Sequence, residues 1–264
     1  MVRAGFKGVT MQHGDIIFLL QNLVLKDFRI RYRNMSLGVT WSVANPLLMM
    51  GILTFVFTRI YPNPTIHHFA LFALCALVPF NFYSLAAIPG TTSLLENQTL
   101  IKRVRCPRAI FPIAAVLSSS LHFLIQIALL ISLLFIFGHN FNRHWIWLLP
   151  IWTMEVVFLC GLCLITSGLN VYYRDIRYLV ECSGLVMFWL VPVFYNLEMI
   201  PQRYRALYTM NPIAAVAVVD RQIMLAATAP SMSILLQLCA VSLTVLGIGF
   251  AVFGHLERDL ADYL

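Results

Sequence analysis

Six stretches of about 20 mostly apolar residues run through this chain, at 41–58, 69–90, 112–137, 145–169, 178–197 and 231–253. A backbone passing through hydrocarbon must satisfy its own polar groups, so each run is expected to be a helix. Composition closes the soluble alternative: 60% of the 264 residues are hydrophobic and 11% are charged, where a soluble domain carries about 25% charged residues. The chain is predicted to be an all-α integral membrane protein, one domain over 1–264. Pro79, Asn81 and Pro89 interrupt the second run, which is expected to be kinked there.

The short segments between the runs set orientation. Assigning 1–40, 91–111, 170–177 and 254–264 to one side collects 13 of the 18 Lys and Arg residues. Basic excess marks the cytoplasmic side, so both termini are expected there. The net charge of +7 is explained by inner loops and anionic lipid rather than by nucleic acid. Four of the inner charges, Lys102, Arg103, Arg105 and Arg108, fall within seven positions between the second and third runs. Trp145, Trp147 and Trp152 suit an aromatic belt at the outer end of the fourth run.

Two segments do not fit six plain spans. In 15–37, Leu20, Val24, Phe28 and Tyr32 recur every fourth residue, while Lys26, Arg29 and Arg33 gather on another face. This pattern predicts an amphipathic helix along the inner interface, its arginines reaching toward head groups. The alternation over 28–33 also reads as a strand, which would lack a pairing partner. The second segment, 198–230, has a break at Asn211-Pro212, an apolar stretch too short to cross, and then Asp220 and Arg221. Two short helices dipping into the outer leaflet fit it, as does an exposed loop with one surface helix.

Chemistry of the common enzyme classes is absent from the sequence. No glycine is followed by lysine, so there is no phosphate loop of the G-x-x-x-x-G-K-[ST] kind. There is no H-E-x-x-H or G-x-S-x-G motif either. Cys160-x-x-Cys163 stands alone in an apolar run and is expected to be helix packing rather than a metal site. The N-terminus lacks a signal-peptide pattern. Glu155 is the one acid expected deep in a span, and such a residue is a functional candidate by default. Aromatics cluster as Trp41 and Phe55, as Phe80, Phe82 and Tyr83, and as Phe188, Trp189 and Tyr195. Such a set suits a channel along which sugar rings slide, and it equally suits ordinary packing.

Four segments carry a resemblance to a known family. They are Leu25–Leu48, Thr99–Ile113, Asn170-Val-Tyr-Tyr-Arg-Asp-Ile176 and Met210–Arg221. Together they resemble, in order, the membrane permease subunits of ABC transporters that export polysaccharides and polyol phosphates. Cys106 and Ala109 stand where that family more usually has phenylalanine and glutamate.

The resemblance implies a six-span half-transporter with an interfacial N-terminal helix. It would pair with a second copy and with two ATP-binding cassette subunits. ATP and magnesium would then be used by those partners, with no cofactor and no catalytic residue in this chain. Coupling to the ATPase would lie over Leu94, Glu96, Asn97, Thr99, Lys102, Arg103, Arg105, Pro107 and Arg108. The docking helix itself could be Leu94–Thr99, with the charges setting orientation. Asn211, Pro212, Asp220 and Arg221 would belong to short re-entrant outer gate helices between spans five and six. The cargo would be a glycan on a polyprenyl diphosphate, O-antigen-like, moved outward across a bacterial inner membrane. Lys26, Arg29, Arg31 and Arg33 could hold its diphosphate, and plain attraction to anionic lipid accounts for them equally well. A membrane enzyme acting on polyprenyl-linked sugars is the alternative. It would need acids or histidines clustered at a membrane edge, where only His67 and His68 stand.

Overall fold

The computed structural model describes residues 13–33, 35–36, 38–62, 66, 68–103 and 106–257. Arg105 and His67 lie outside the described residues. Ten α-helices and a few short helical turns make up the fold, with no strand among the described residues. They are α1 (His13–Tyr32), α2 (Trp41–Phe55), α3 (Phe69–Glu96), α4 (Gln98–Arg103), α5 (Ile110–Ile136), α6 (Leu148–Tyr172), α7 (Ile176–Leu190), α8 (Gln202–Thr209), α9 (Pro212–Met224) and α10 (Met232–Leu256). The segment 28–33, open between helix and strand by alternation, is helical to Tyr32.

Among the described residues, five helical stretches are long and apolar enough to cross a membrane: Gly38–Ile60, Phe69–Arg103, Ile110–Ile136, Arg143–Tyr172 and Met232–Leu256. The run expected at 178–197 is shorter than predicted. Its helix, α7, has 15 residues and ends at Leu190. Pro192 drives the preceding Val191 into an extended conformation (φ −77°, ψ 130°), which halts the helix. The chain then runs irregularly to α8, and Asn211 breaks α8 from α9. Its side chain caps the N–H of Ile213, and Pro212 opens α9, where a missing N–H costs nothing.

The central helix is α3, buried along most of its length and packed on α5 and α6. At 28 residues it is about 42 Å long. It continues as α-helix through both Pro79 and Pro89, the positions at which a kink is expected. Pro89 has no N–H for the carbonyl of Leu85, four residues earlier. Two side chains take its place: Ser119 Oγ donates to that oxygen at 3.0 Å and Arg31 Nη2 at 3.2 Å. The same device recurs at Pro46 in α2. There Gln126 Nε2 donates to the freed carbonyl of Ser42 at 3.1 Å. Ser119, His122 and Gln126 form one buried polar stripe on α5. His122 Nδ1 lies 2.6 Å from Tyr32 Oη, and its ring stacks on Phe28 at 4.7 Å. Membrane helices gain little from burying apolar surface against one another, so such polar contacts and close backbone approach hold them.

Close approach is clearest between α6 and α10. A Cβ on Gly161 would sit 2.6 Å from the backbone of Leu246, and one on Gly249 would sit 2.6 Å from the Gly161 oxygen. By contrast, α2 and α7 leave broad apolar faces uncovered, including Leu48, Ile52 and Phe55 on one and Leu185, Val186 and Trp189 on the other.

Candidate functional site: a basic loop between two spans

The loop joining α3 to α5 is built from its capping residues outward. Leu94 is fully buried and ends the anchored part of α3. Glu96 and Thr99 are exposed, and Glu96 accepts from Thr92 Oγ1 at 2.6 Å. Asn97 leaves helical geometry (φ −105°, ψ 17°) and separates α3 from α4. Leu94–Glu96 are therefore the last turn of α3, while Thr99, Lys102 and Arg103 share the six-residue α4. The expected docking helix over Leu94–Thr99 is thus split in two, because the Asn97 side chain competes with the helix for the Ser93 carbonyl at 2.8 Å.

The basic knot divides in the same way. Lys102 and Arg103 are exposed and make no ion pair with a described residue. Pro107 is exposed as well, but Arg108 turns inward. Its Nη1 donates to the backbone oxygen of Glu257 at 2.8 Å, and its own N–H donates to Glu257 Oε1 at 3.3 Å. Burial pushes the thiol of Cys106 up from its ordinary pKa, against the pull of Arg108, so it is a neutral packing group.

The four basic residues in and just after α1 also separate. Lys26 donates to Asn97 Oδ1 at 2.8 Å and pairs with Asp27 at 3.1 Å. Arg29 and Arg33 are exposed beside an open groove of about 890 Å³ that Lys26 and Leu100 also line. Arg31 points the other way, into a cavity of about 470 Å³ lined also by Trp41, Asn45 and Gln126. Burial lowers its pKa, with Tyr32 and Asp27 opposing. Its Nη1 and the Gln126 Oε1 are buried without hydrogen-bond partners among the described residues.

The aromatic set does not line one surface. Phe82 and Tyr83 are core residues: Phe82 stacks on Phe123 at 4.5 Å, and the Tyr83 hydroxyl meets Ser183 Oγ at 2.7 Å. Both face into the bundle because α3 is surrounded on most sides. Trp41, Phe55 and Trp189 are exposed. Phe80 and Phe188 are half-buried, meet edge to face at 5.3 Å, and line a cavity of about 440 Å³ between α2, α3 and α7. Tyr195 is held by the Trp189 carbonyl at 2.9 Å.

At the opposite end of the bundle, Asp220 and Arg221 are buried rather than displayed. Arg221 donates to the backbone oxygens of Phe72 at 3.0 Å and Val193 at 3.1 Å, and its guanidinium lies over the Phe72 ring at 3.4 Å. Trp152, expected in the interfacial belt, turns inward and donates to Asp220 Oδ2 at 3.3 Å. Glu155, one turn further along α6, is fully buried, and neither of its carboxyl oxygens has a hydrogen-bond partner among the described residues. Spacing along the chain did not pair Trp152 with Asp220, which arrives from a helix 68 positions away. Nothing in the spacing alone pointed to the inward turn of Arg108 or to the carbonyls that Arg31 and Arg221 serve.

The fold defines a multi-pass α-helical membrane protein whose spans are linked by one compact, solvent-facing basic helix. A match to the ABC-2 type transporter membrane domain over residues 19–225 places the chain in that family. It is 30% identical over 253 residues to the O-antigen export system permease protein RfbA of Klebsiella pneumoniae, covering 95% of this chain and 96% of that one. It is 25% identical over 246 residues to the protein of the same name from Myxococcus xanthus, covering 92% and 94%.

Proposed function

We propose that this chain is the channel-forming membrane subunit of an ATP-driven exporter of lipid-diphosphate-linked polysaccharide, O-antigen-like, working outward across a bacterial inner membrane. The observation that carries this reading is the exposed cationic α4, suspended between two spans of a chain that holds no phosphate loop. Such a chain needs an external motor, and Lys102 and Arg103 offer it a solvated, unpaired contact. In this reading two ATP-binding subunits use ATP and magnesium, and both termini of this chain are cytoplasmic. The names of the two relatives support a glycan as cargo.

A second copy would complete the channel. The uncovered apolar faces of α2 and α7 support this, with Trp41, Phe55, Phe80, Phe188 and Trp189 on or near them. The short α7 counts as the fifth of six spans, completed by the irregular chain after it. The short α8 and α9 then form the outer gate, dipping into the outer leaflet between spans five and six. Arg29 and Arg33 at the open groove, and Arg31 in its cavity, suit the lipid diphosphate through charge-assisted hydrogen bonds.

Co-expression with the ATPase subunits tests the reading. The expected result is a stable complex that hydrolyses ATP and places glycan on the cell surface. Transport or modification of a lipid-linked sugar by this chain without an ATPase would overturn it and favour the membrane-enzyme alternative.

A further inference from the structure

We infer that Arg108 and Lys26 are positioning residues that fasten the two ends of the α4 loop to two different bodies, so that a load on α4 is shared between α1 and the α6–α10 pair. The inference rests on the reading of α4 as the ATPase contact and assigns what happens to the force after contact.

The loop's first end is Asn97. Its side-chain oxygen receives Lys26 Nζ at 2.8 Å, and its amide nitrogen holds the Ser93 carbonyl at 2.8 Å. One residue thus joins α1, the end of α3 and the start of α4. The loop's second end is Arg108. The last carbonyls of any helix lack partners within it, and a cation there also opposes the helix dipole favourably. Arg108 supplies both to α10, through the Glu257 carbonyl at 2.8 Å, while its backbone N–H takes the Glu257 carboxylate at 3.3 Å.

Beyond Glu257 the connection is stiff. Tyr172 at the end of α6 donates to the Leu256 carbonyl at 2.9 Å, and the Gly161–Gly249 approach leaves α6 and α10 no slack. Three basic residues close in sequence therefore do two jobs. Lys102 and Arg103 face outward to be pushed, and Arg108 faces inward to pass the push on.

Surface glycan on cells carrying each variant, together with copurification and ATP hydrolysis of the purified complex, tests this. Arg108→Ala is expected to lower surface glycan about tenfold, the weight of one charge-assisted hydrogen bond. Copurification and ATP hydrolysis should stay within about twofold of the parent, as for a surface change. Arg108→Lys, which keeps a cationic donor, should recover most of the export. Glu257→Gln, which keeps the backbone carbonyl, should cost only about twofold. Export by Arg108→Ala at the parent level would overturn the assignment. So would a fall of copurification and ATP hydrolysis in step with export, or failure of Arg108→Lys to restore it. Lys102→Glu with Arg103→Glu separates the two readings: if that variant still copurifies with the ATPase, the docking role of α4 is wrong. The Arg108 results then show whether the link to α10 matters for export.

Discussion

The two ends of the bundle use the same kind of residue in opposite ways. At the loop end, Lys102 and Arg103 stand exposed on a short helix with no ionic partner among the described residues. At the far end, Arg221 is 9% exposed and donates to the backbone oxygen of Val193, in the irregular chain where α7 stops, and to that of Phe72 in α3. The first cations contribute almost nothing to folding and are free for a partner. The second is a structural part of an irregular segment that could not otherwise remain buried. Charge in a membrane protein therefore has to be read together with what the backbone beside it lacks.

Substitutions break or sharpen that contrast, in order of their expected cost to stability. Arg221→Ala removes the side-chain donor to the buried Val193 carbonyl and the cation over the Phe72 ring, and should destabilise the purified protein by about 3 kcal/mol. A thermal melt in detergent reads this as a large drop in midpoint or a failure to purify. Gly161→Leu drives a side chain into the α10 backbone and should cost about 1–3 kcal/mol by the same measurement, as overpacking does.

Gln126→Leu removes the donor to the Ser42 carbonyl and should cost about 1 kcal/mol. Pro46→Ala restores the N–H that this carbonyl lacks, so the Gln126→Leu cost should shrink in the Pro46→Ala background. Equal costs in both backgrounds would show that Gln126 is not replacing the proline's missing donor. Smallest of all, Lys102→Glu with Arg103→Glu should shift stability by less than about 0.5 kcal/mol. That variant should nevertheless lose ATPase copurification on a pull-down. A loss of stability comparable to Arg221→Ala would erase the difference between the two ends.

The legible part of this protein followed from local rules. The apolar runs announced helices, the four-residue recurrence of Leu20, Val24, Phe28 and Tyr32 gave α1, and Asn211-Pro212 marked the break before α9. The end of α7 is not legible, because hydropathy continues through Val191-Pro192-Val193 although helical geometry does not. Of the candidate site, the solvent-facing half, Lys102 and Arg103, was visible as clustered charge. The inward half was not, because Arg108, Lys26 and Arg31 meet partners 149, 71 and 54 positions away in the chain.

By itself, then, the sequence determined that this chain lives in a membrane as helices. It also placed a concentrated positive charge between two of them, because hydrocarbon excludes both unpaired backbone and bare charge. Only the tertiary structure decided which charges face a partner and which serve the protein. It also decided that α3 runs through two prolines and that Trp152 reaches Asp220. Those outcomes depend on which side chain reaches which orphaned carbonyl or buried acid, and reach is set by packing between helices far apart in the chain.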